Sequence, residues 1–165
     1  MNGTTERTQL VTFQAAAELF ATDIFAVERV LRFAAPRMLP NAAPWLRGVI
    51  DHGGRTIPVV DLRERLSLPK AEADERARIL VITVGDTLIG MTVDAVHEVV
   101  TVPTADIEPP PAIYRGLAKE YLRGVVRVDQ RMFVVLDAGH LLGSTERIEM
   151  ERAMRSAPGT EERDG

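Results

Sequence analysis

Few side chains in this sequence could move a proton or hold a metal near neutral pH. The three histidines are His52, His97 and His140, and no two stand at the spacing that places metal ligands on one helical face. His52 follows Asp51, and neighbours in an extended strand point to opposite faces, so they are not set up as base and orienting carboxylate. Cysteine is absent, which removes thiolate nucleophiles, disulfides and sulfur-ligated metals together. Ser67, Ser144 and Ser156 are the serines, and none sits in a G-x-S-x-G elbow. Gly53-Gly54 is followed by Arg55-Thr56-Ile57-Pro58, which reads as a tight turn into a strand and not as a phosphate loop. The carboxylates Asp61 and Asp137 stand ahead of short helical segments, where capping accounts for them. This inventory points away from catalysis and toward a protein with no metal and no cofactor.

The elements that must position any other function are mostly strands. The chain has 165 residues, 45% hydrophobic and 27% charged, enough for one ordinary domain or two small halves sharing a core. Its apolar runs are short, β-branched and bounded by turn residues. They predict strands at Leu10–Phe13, Glu18–Ala21, Leu46–Asp51, Thr56–Val60, Ile79–Val84, Thr87–Val93, Leu122–Val128 and Met132–Leu136. Gly85-Asp86 suits a tight hairpin turn between two of them. Asp61 with Glu64 forms a capping box for a short helix through Leu66. Asp137 opens a similar turn through Leu142, and residues 144–155 form a charged surface helix anchored by Ile148 and Met154. Trp45 reads as a partly buried anchor. Arg47, Arg55, Arg63, Arg65, Arg76 and Arg78, interspersed with acids, read as a solvated mixed surface. The proline-rich stretch from Pro103 to Tyr121 should run outside the sheets.

A net charge of −4 and a pI near 5.4 give no electrostatic case for nucleic acid or for an anionic membrane surface. The N-terminus lacks an apolar signal segment, and no run reaches the roughly 18 apolar residues of a spanning helix. A cytoplasmic protein is expected, with residues 1–8 and 156–165 disordered.

The sequence also echoes itself. At an offset of 69, Val11-Thr12-Phe13 falls on Leu80-Val81-Ile82, Phe20-Ala21 on Ile89-Gly90, Ala26-Val27 on Ala95-Val96, and Val30 on Val99. At an offset of 76, Gly48-Val49 falls on Gly124-Val125, and Val59-Val60-Asp61-Leu62 on Val135-Leu136-Asp137-Ala138. Two similar β units follow, with the charged stretch at 69–78 as the boundary between them.

Several blocks resemble, in order, those of the CheW-like family of chemotaxis adaptors. They are Leu10-Val11-Thr12-Phe13, Asp23-Ile24-Phe25-Ala26-Val27, the run from Leu39 to Ile50 around Pro44-Trp45-Leu46-Arg47-Gly48, and Ile57-Pro58-Val59-Val60-Asp61-Leu62-Arg63. Val93-Asp94-Ala95-Val96, Ile107-Glu108-Pro109-Pro110-Pro111, Tyr121-Leu122-Arg123-Gly124-Val125 and Met132-Phe133-Val134-Val135-Leu136-Asp137 continue the series.

The resemblance implies a mostly β protein of two tandem SH3-like five-stranded β-barrel subdomains with short helices, intertwined over residues 9–143 around a hydrophobic seam. It implies a non-catalytic adaptor, monomeric alone, that joins the cytoplasmic tip of chemoreceptors to a CheA-type histidine kinase in membrane-associated arrays. The receptor-binding positions it implies are Val27, Arg29, Gly48, Gly53, Gly90 and Val99. Two of them depart from the family pattern. Asp51-His52-Gly53-Gly54 puts Gly53 where the family has an arginine, and Arg29 stands where it usually has a glutamate. Such changes fit the chain to a dedicated receptor array, or to a chemosensory pathway serving pilus motility, development or second-messenger control. A lattice filler that does not activate the kinase is the remaining alternative.

Overall fold

A computed structural model describes residues 6–111 and 121–155. The expected disordered tail at 156–165 lies outside them, as do residues 1–5. The described residues form ten strands. In chain order these are β1 (Arg7–Ala15), β2 (Glu18–Asp23), β3 (Val27–Arg32), β4 (Leu46–His52), β5 (Arg55–Asp61), β6 (Arg78–Val84), β7 (Thr87–Val93), β8 (Ala95–Pro103), β9 (Leu122–Val128) and β10 (Arg131–Leu136). Helix α1 (Leu62–Arg65) follows β5, and α2 (Ser144–Arg155) closes the described chain. Short 3-10 turns lie at Ile24–Ala26, Thr104–Asp106 and Ala138–His140.

The strands make two five-stranded sheets with the orders β8-β1-β2-β10-β9 and β3-β6-β7-β5-β4. We call them sheet A and sheet B. Each takes strands from both repeats, so the stretch at 69–78 separates the sequence repeats and not the sheets: it joins β5 to β6 within sheet B. The repeat extends to the register. Val30 faces Leu80 as Val99 faces Val11, and Val59 lies beside Gly90 as Val135 lies beside Ala21. Gly48 pairs with Val59 and Gly124 with Val135, with a register shift after Leu46 and Leu122 alike.

Burial on both faces explains why the apolar runs look continuous instead of alternating. In β6, Ile79 and Val81 join the interior of sheet B, while Leu80, Ile82 and Val84 join a larger cluster between the sheets. In β10, Phe133 and Val135 fill the interior of sheet A, and Val134 and Leu136 turn to the same seam. Phe13 and Phe20 stack within the seam cluster, ring centroids 5.8 Å apart.

Two strands, β3 and β8, were not expected from the apolar runs. Both are largely exposed, carry Glu28, Arg29 and Arg32 or His97 and Glu98, and pass a bulge, so neither shows a clean alternation. β1 begins inside the segment expected to be disordered, because Arg7 and Thr8 pair with Pro103 and Val102. The Thr8 hydroxyl also lies 2.7 Å from that of Thr104.

The capping box at Asp61 closes on one side. Asp61 accepts from the Arg63 N–H at 3.0 Å, but its own N–H is taken by the Trp45 carbonyl at 3.0 Å. Glu64 is left beside Lys70, 3.8 Å away. The equivalent Asp137 repeats the arrangement, accepting from Gly139 N–H and donating its own N–H to Tyr121. On α2 the buried anchor is Met150, with Ala153 and Met154 partly covered. Ile148, an expected anchor, is 53% exposed, because a helix lying on the seam turns only one stripe inward.

Gly48 and Gly124 have the same task. Each lets a second segment cross over its strand: Arg37 exchanges both backbone hydrogen bonds with Val49 (2.8 and 2.9 Å), and Glu108 does so with Val125 (both 2.8 Å). A Cβ on either glycine would overlap the crossing carbonyl oxygen, and Gly48 has φ of 148°. At Gly90 the obstacle is a side-chain methyl of Ile79, 2.9 Å from an added Cβ, and sheet A accommodates Ala21 in that place. Gly48→Ala is therefore expected to lower the unfolding free energy by about 1–3 kcal/mol, and Gly90→Ala by less. Urea titration of both variants checks this, and the reverse order would refute it.

Candidate functional site

With the faces of both sheets occupied, the free surface lies at their edges. Among the described residues the backbone of β3 pairs only with β6 and that of β8 only with β1, so each is an edge strand of its sheet. Both start on the seam, where Val27 and Val96 are half-buried against the central cluster. Past the bulge the strands emerge: Val30 is 44% and Val99 47% exposed. Phe25, in the turn leading into β3, is also exposed. Bulges and charges on an edge discourage indiscriminate strand pairing while leaving side chains free for a specific partner.

The expected receptor-binding positions divide between these places. Arg29, Gly90 and Gly48 fall on one rung of sheet B, running Arg29, Val81, Gly90, Val59, Gly48 across all its strands. Val27 lies on the same strand as Arg29. Gly48 and Gly90 are buried, so they shape the sheet and are not themselves contact surface. Gly53 lies at the exposed tip of the β4–β5 hairpin, where Gly53 and Gly54 take φ of 59° and 79° and His52 pairs with Arg55. Val99 belongs to the edge of sheet A. Sequence reasoning did not name Glu98 or Arg131, and met Val30 only in the internal repeat. The offset of 69 had placed Val30 on Val99, but with β3 and β8 unassigned nothing marked them as edges.

An ion pair lies at the edge of sheet A. Glu98 on β8 meets Arg131 on β10 at 2.8 Å, and Arg131 also lies over the Phe133 ring, 5.2 Å from its centroid. The hydrogen bond from Arg131 holds the Glu98 carboxyl below its ordinary value.

Where the sheets meet, Arg65 joins the repeats. Its guanidinium lies 5.5 Å from the Trp45 ring centroid and 4.7 Å from that of Tyr121, its repeat equivalent. It donates to the Leu141 carbonyl at 3.1 Å and pairs with Glu146 on α2. Arg63 pairs with Asp94, which also accepts from the Ala16 N–H at 2.7 Å. The side chains of Arg63 and Arg65 are only 15% and 10% exposed. These two arginines are therefore tied into the fold and are not part of the solvated mixed surface that their sequence neighbourhood suggested.

Among the described residues the three histidines do not converge. His97 lies 3.3 Å from Gln14, His140 lies 2.7 Å from Asp137, and His52 ends β4. Among the described residues no group of three or more His, Asp or Glu could hold a metal ion. No described helix is long and apolar enough to cross a membrane.

Two interlocked sheets, an apolar seam and charged open edges define a scaffold whose chemistry lies in its surfaces. The chain belongs to the CheW-like domain family, whose model matches residues 9–146. It is 31% identical to the chemotaxis protein CheW of Treponema pallidum over 145 residues, covering 86% of this chain and 85% of the relative. It is 37% identical to the protein FrzA of Myxococcus xanthus over 101 residues, 61% of this chain and 62% of that one. Among solved structures, the scaffolding protein TtCheW of Thermoanaerobacter tengcongensis superposes with a TM-score of 0.79 at 28% identity, covering 86% of this chain and 96% of that one.

Two outcomes are expected from the charged contacts. Arg65→Gln should lower stability by about 2 kcal/mol, and the loss should shrink when Glu146 is also changed to Gln, as measured by a double-mutant cycle. Arg131→Gln should return the Glu98 carboxyl toward its ordinary value in an NMR titration. Because Glu98 is lowered in the folded protein, the pair's contribution is present above the unfolded-state value and fades as pH falls through the lowered one.

Proposed function

We propose that this protein is a non-catalytic adaptor that couples chemoreceptors to a CheA-type histidine kinase in chemotaxis signal transduction. The observation that carries this reading is the CheW-like match over residues 9–146, which spans both sheets from β1 to the start of α2. The non-enzymatic reading rests on that same family likeness.

In this reading the receptor tip docks along β3, at Val27 and Arg29 and next to the exposed Val30. Gly48 and Gly90 set the form of the sheet behind them, Gly53 shapes the neighbouring hairpin, and Val99 offers the equivalent apolar position on sheet A. The kinase uses other edges of the same scaffold. The protein works in the cytoplasm and reaches the membrane through its partners. Individually modest contacts suffice, because an array raises the effective concentration of each partner for the next.

A second reading, service in a chemosensory pathway other than chemotaxis proper, is favoured by Arg29 and Gly53 and by the likeness to FrzA. The two are separated by which receptor co-purifies.

The deciding experiment reconstitutes the protein with a CheA-type kinase and a receptor cytoplasmic fragment from the same genome, and follows kinase autophosphorylation. The expected result is a change in kinase activity that needs both adaptor and receptor. Binding to both without that change would make the protein a lattice filler, and binding to neither would overturn the adaptor reading.

A further inference from the structure

The two sheets repeat one another strand for strand, and the ion pair of sheet A is a place where the repeat breaks in charge. On sheet A, Glu98 of β8 and Arg131 of β10 form an ion pair of 2.8 Å. The same register positions on sheet B are Arg29, which faces Val81 as the Glu98 carbonyl faces Thr12, and Arg55, which faces His52 as Arg131 faces Val128. The internal pair is thus replaced by two cations. Both are exposed, and among the described residues neither makes an ion pair.

The local acids do not complete the site. Glu28 sits in the bulge beside Arg29, exposed and likewise without an ion pair among the described residues. Arg55 shares the rim of a shallow cleft with Asp86 and Glu151. Asp86 lies 3.5 Å from Arg147, and no ion pair joins either acid to Arg55. Exposed Val30 follows Arg29 along β3 and exposed Phe25 lies ahead of the strand, so a partner lying along this edge would bury apolar surface as well as bring charge to Arg29. Apolar contact gives such an interface its area, while the charge selects which partner is accepted.

We propose that Arg29 and Arg55 form a two-arginine site that takes an acidic side chain from the protein partner docking along β3, the role that Glu98 fills from within on sheet A. The proposal rests on the receptor reading above and narrows it: the receptor that fits this adaptor presents an aspartate or glutamate opposite β3. A receptor tip presenting a cation there would be rejected, since like charges brought together in an interface cost more than apolar contacts at the rim restore.

The test measures binding of the full chain to the receptor cytoplasmic fragment and, separately, to the regulatory domain of the kinase. It uses wild type, Arg29→Gln, Arg55→Gln and Arg29→Glu, the last re-creating the sheet A arrangement on sheet B. Both positions are exposed, and equal melting temperatures confirm intact folds. The expected result is that each Gln variant binds receptor about fivefold more weakly and with a shallower salt dependence. Arg29→Glu should weaken receptor binding further, and kinase binding should be unchanged throughout. Wild-type receptor affinity retained in all three variants would overturn the two-arginine site while leaving the adaptor reading standing. Equal loss of receptor and kinase binding would also overturn it, by showing a general effect on the scaffold. Binding of wild type to a short single-stranded DNA with the same dependence on both arginines would overturn it in favour of a general anion site. Failure of wild type to bind receptor or kinase would remove the adaptor reading and this proposal together.

Discussion

Strands β6 and β10 bury side chains on both faces, with Ile79 and Val81 turned into one sheet while Leu80 and Ile82 fill the seam. A sheet that is apolar on both sides cannot stand in water alone, and each sheet here is covered by the other. The exchange of strands follows the same logic. The first repeat gives β1 and β2 to sheet A and β3 to β5 to sheet B, and the second gives β6 and β7 to sheet B and β8 to β10 to sheet A, so each ties its own halves across the seam. The Arg65 contacts to Trp45 and Tyr121 join the two repeats across that seam.

The same constraint decides where function can reside. Faces used for packing are closed to partners, which leaves strand edges and hairpin tips exposed. Among these β3 and β8 depart furthest from strand pattern: charged, bulged and half-wet. A fold of this kind carries its stability in a shared interior and its specificity in a few rim side chains, which are free to change sign without disturbing the packing beneath.

The fully buried strands were legible in the sequence because runs such as Ile79–Val84 and Met132–Leu136 are short, branched and bounded by turn residues. The repeat was legible too, since the glycine at the crossing and the aspartate after the strand are both required by backbone geometry. What pattern alone could not give was which strands the two sheets exchange, where the resemblance said only that the halves are intertwined. Pattern records which residues are buried but not which neighbouring strand buries them, and the charged stretch at 69–78 looks the same whether it links two barrels or two strands of one. The edge strands escaped for the opposite reason: Glu28, Arg29 and Glu98 break the alternation that marks a strand. Of the candidate site, resemblance supplied Arg29, Gly53 and Val99, but their equivalents across the repeat acquired meaning only once the register was known. The burial of Arg65 was likewise invisible, since its partners Glu146 and Tyr121 lie far off in sequence.

The exchange of strands also sets a schedule for synthesis. As the chain leaves the ribosome, β1 and β2 appear first, yet their remaining neighbours β8 and β10 are among the last strands made. β3 likewise waits for β6, and β5 for β7. Neither repeat can complete a sheet while the other is still in the exit tunnel, so apolar faces stay open until most of the chain has emerged. A chain cut after the first repeat would lack the partner of β3 and the strands that lie beside β1, β2 and β5.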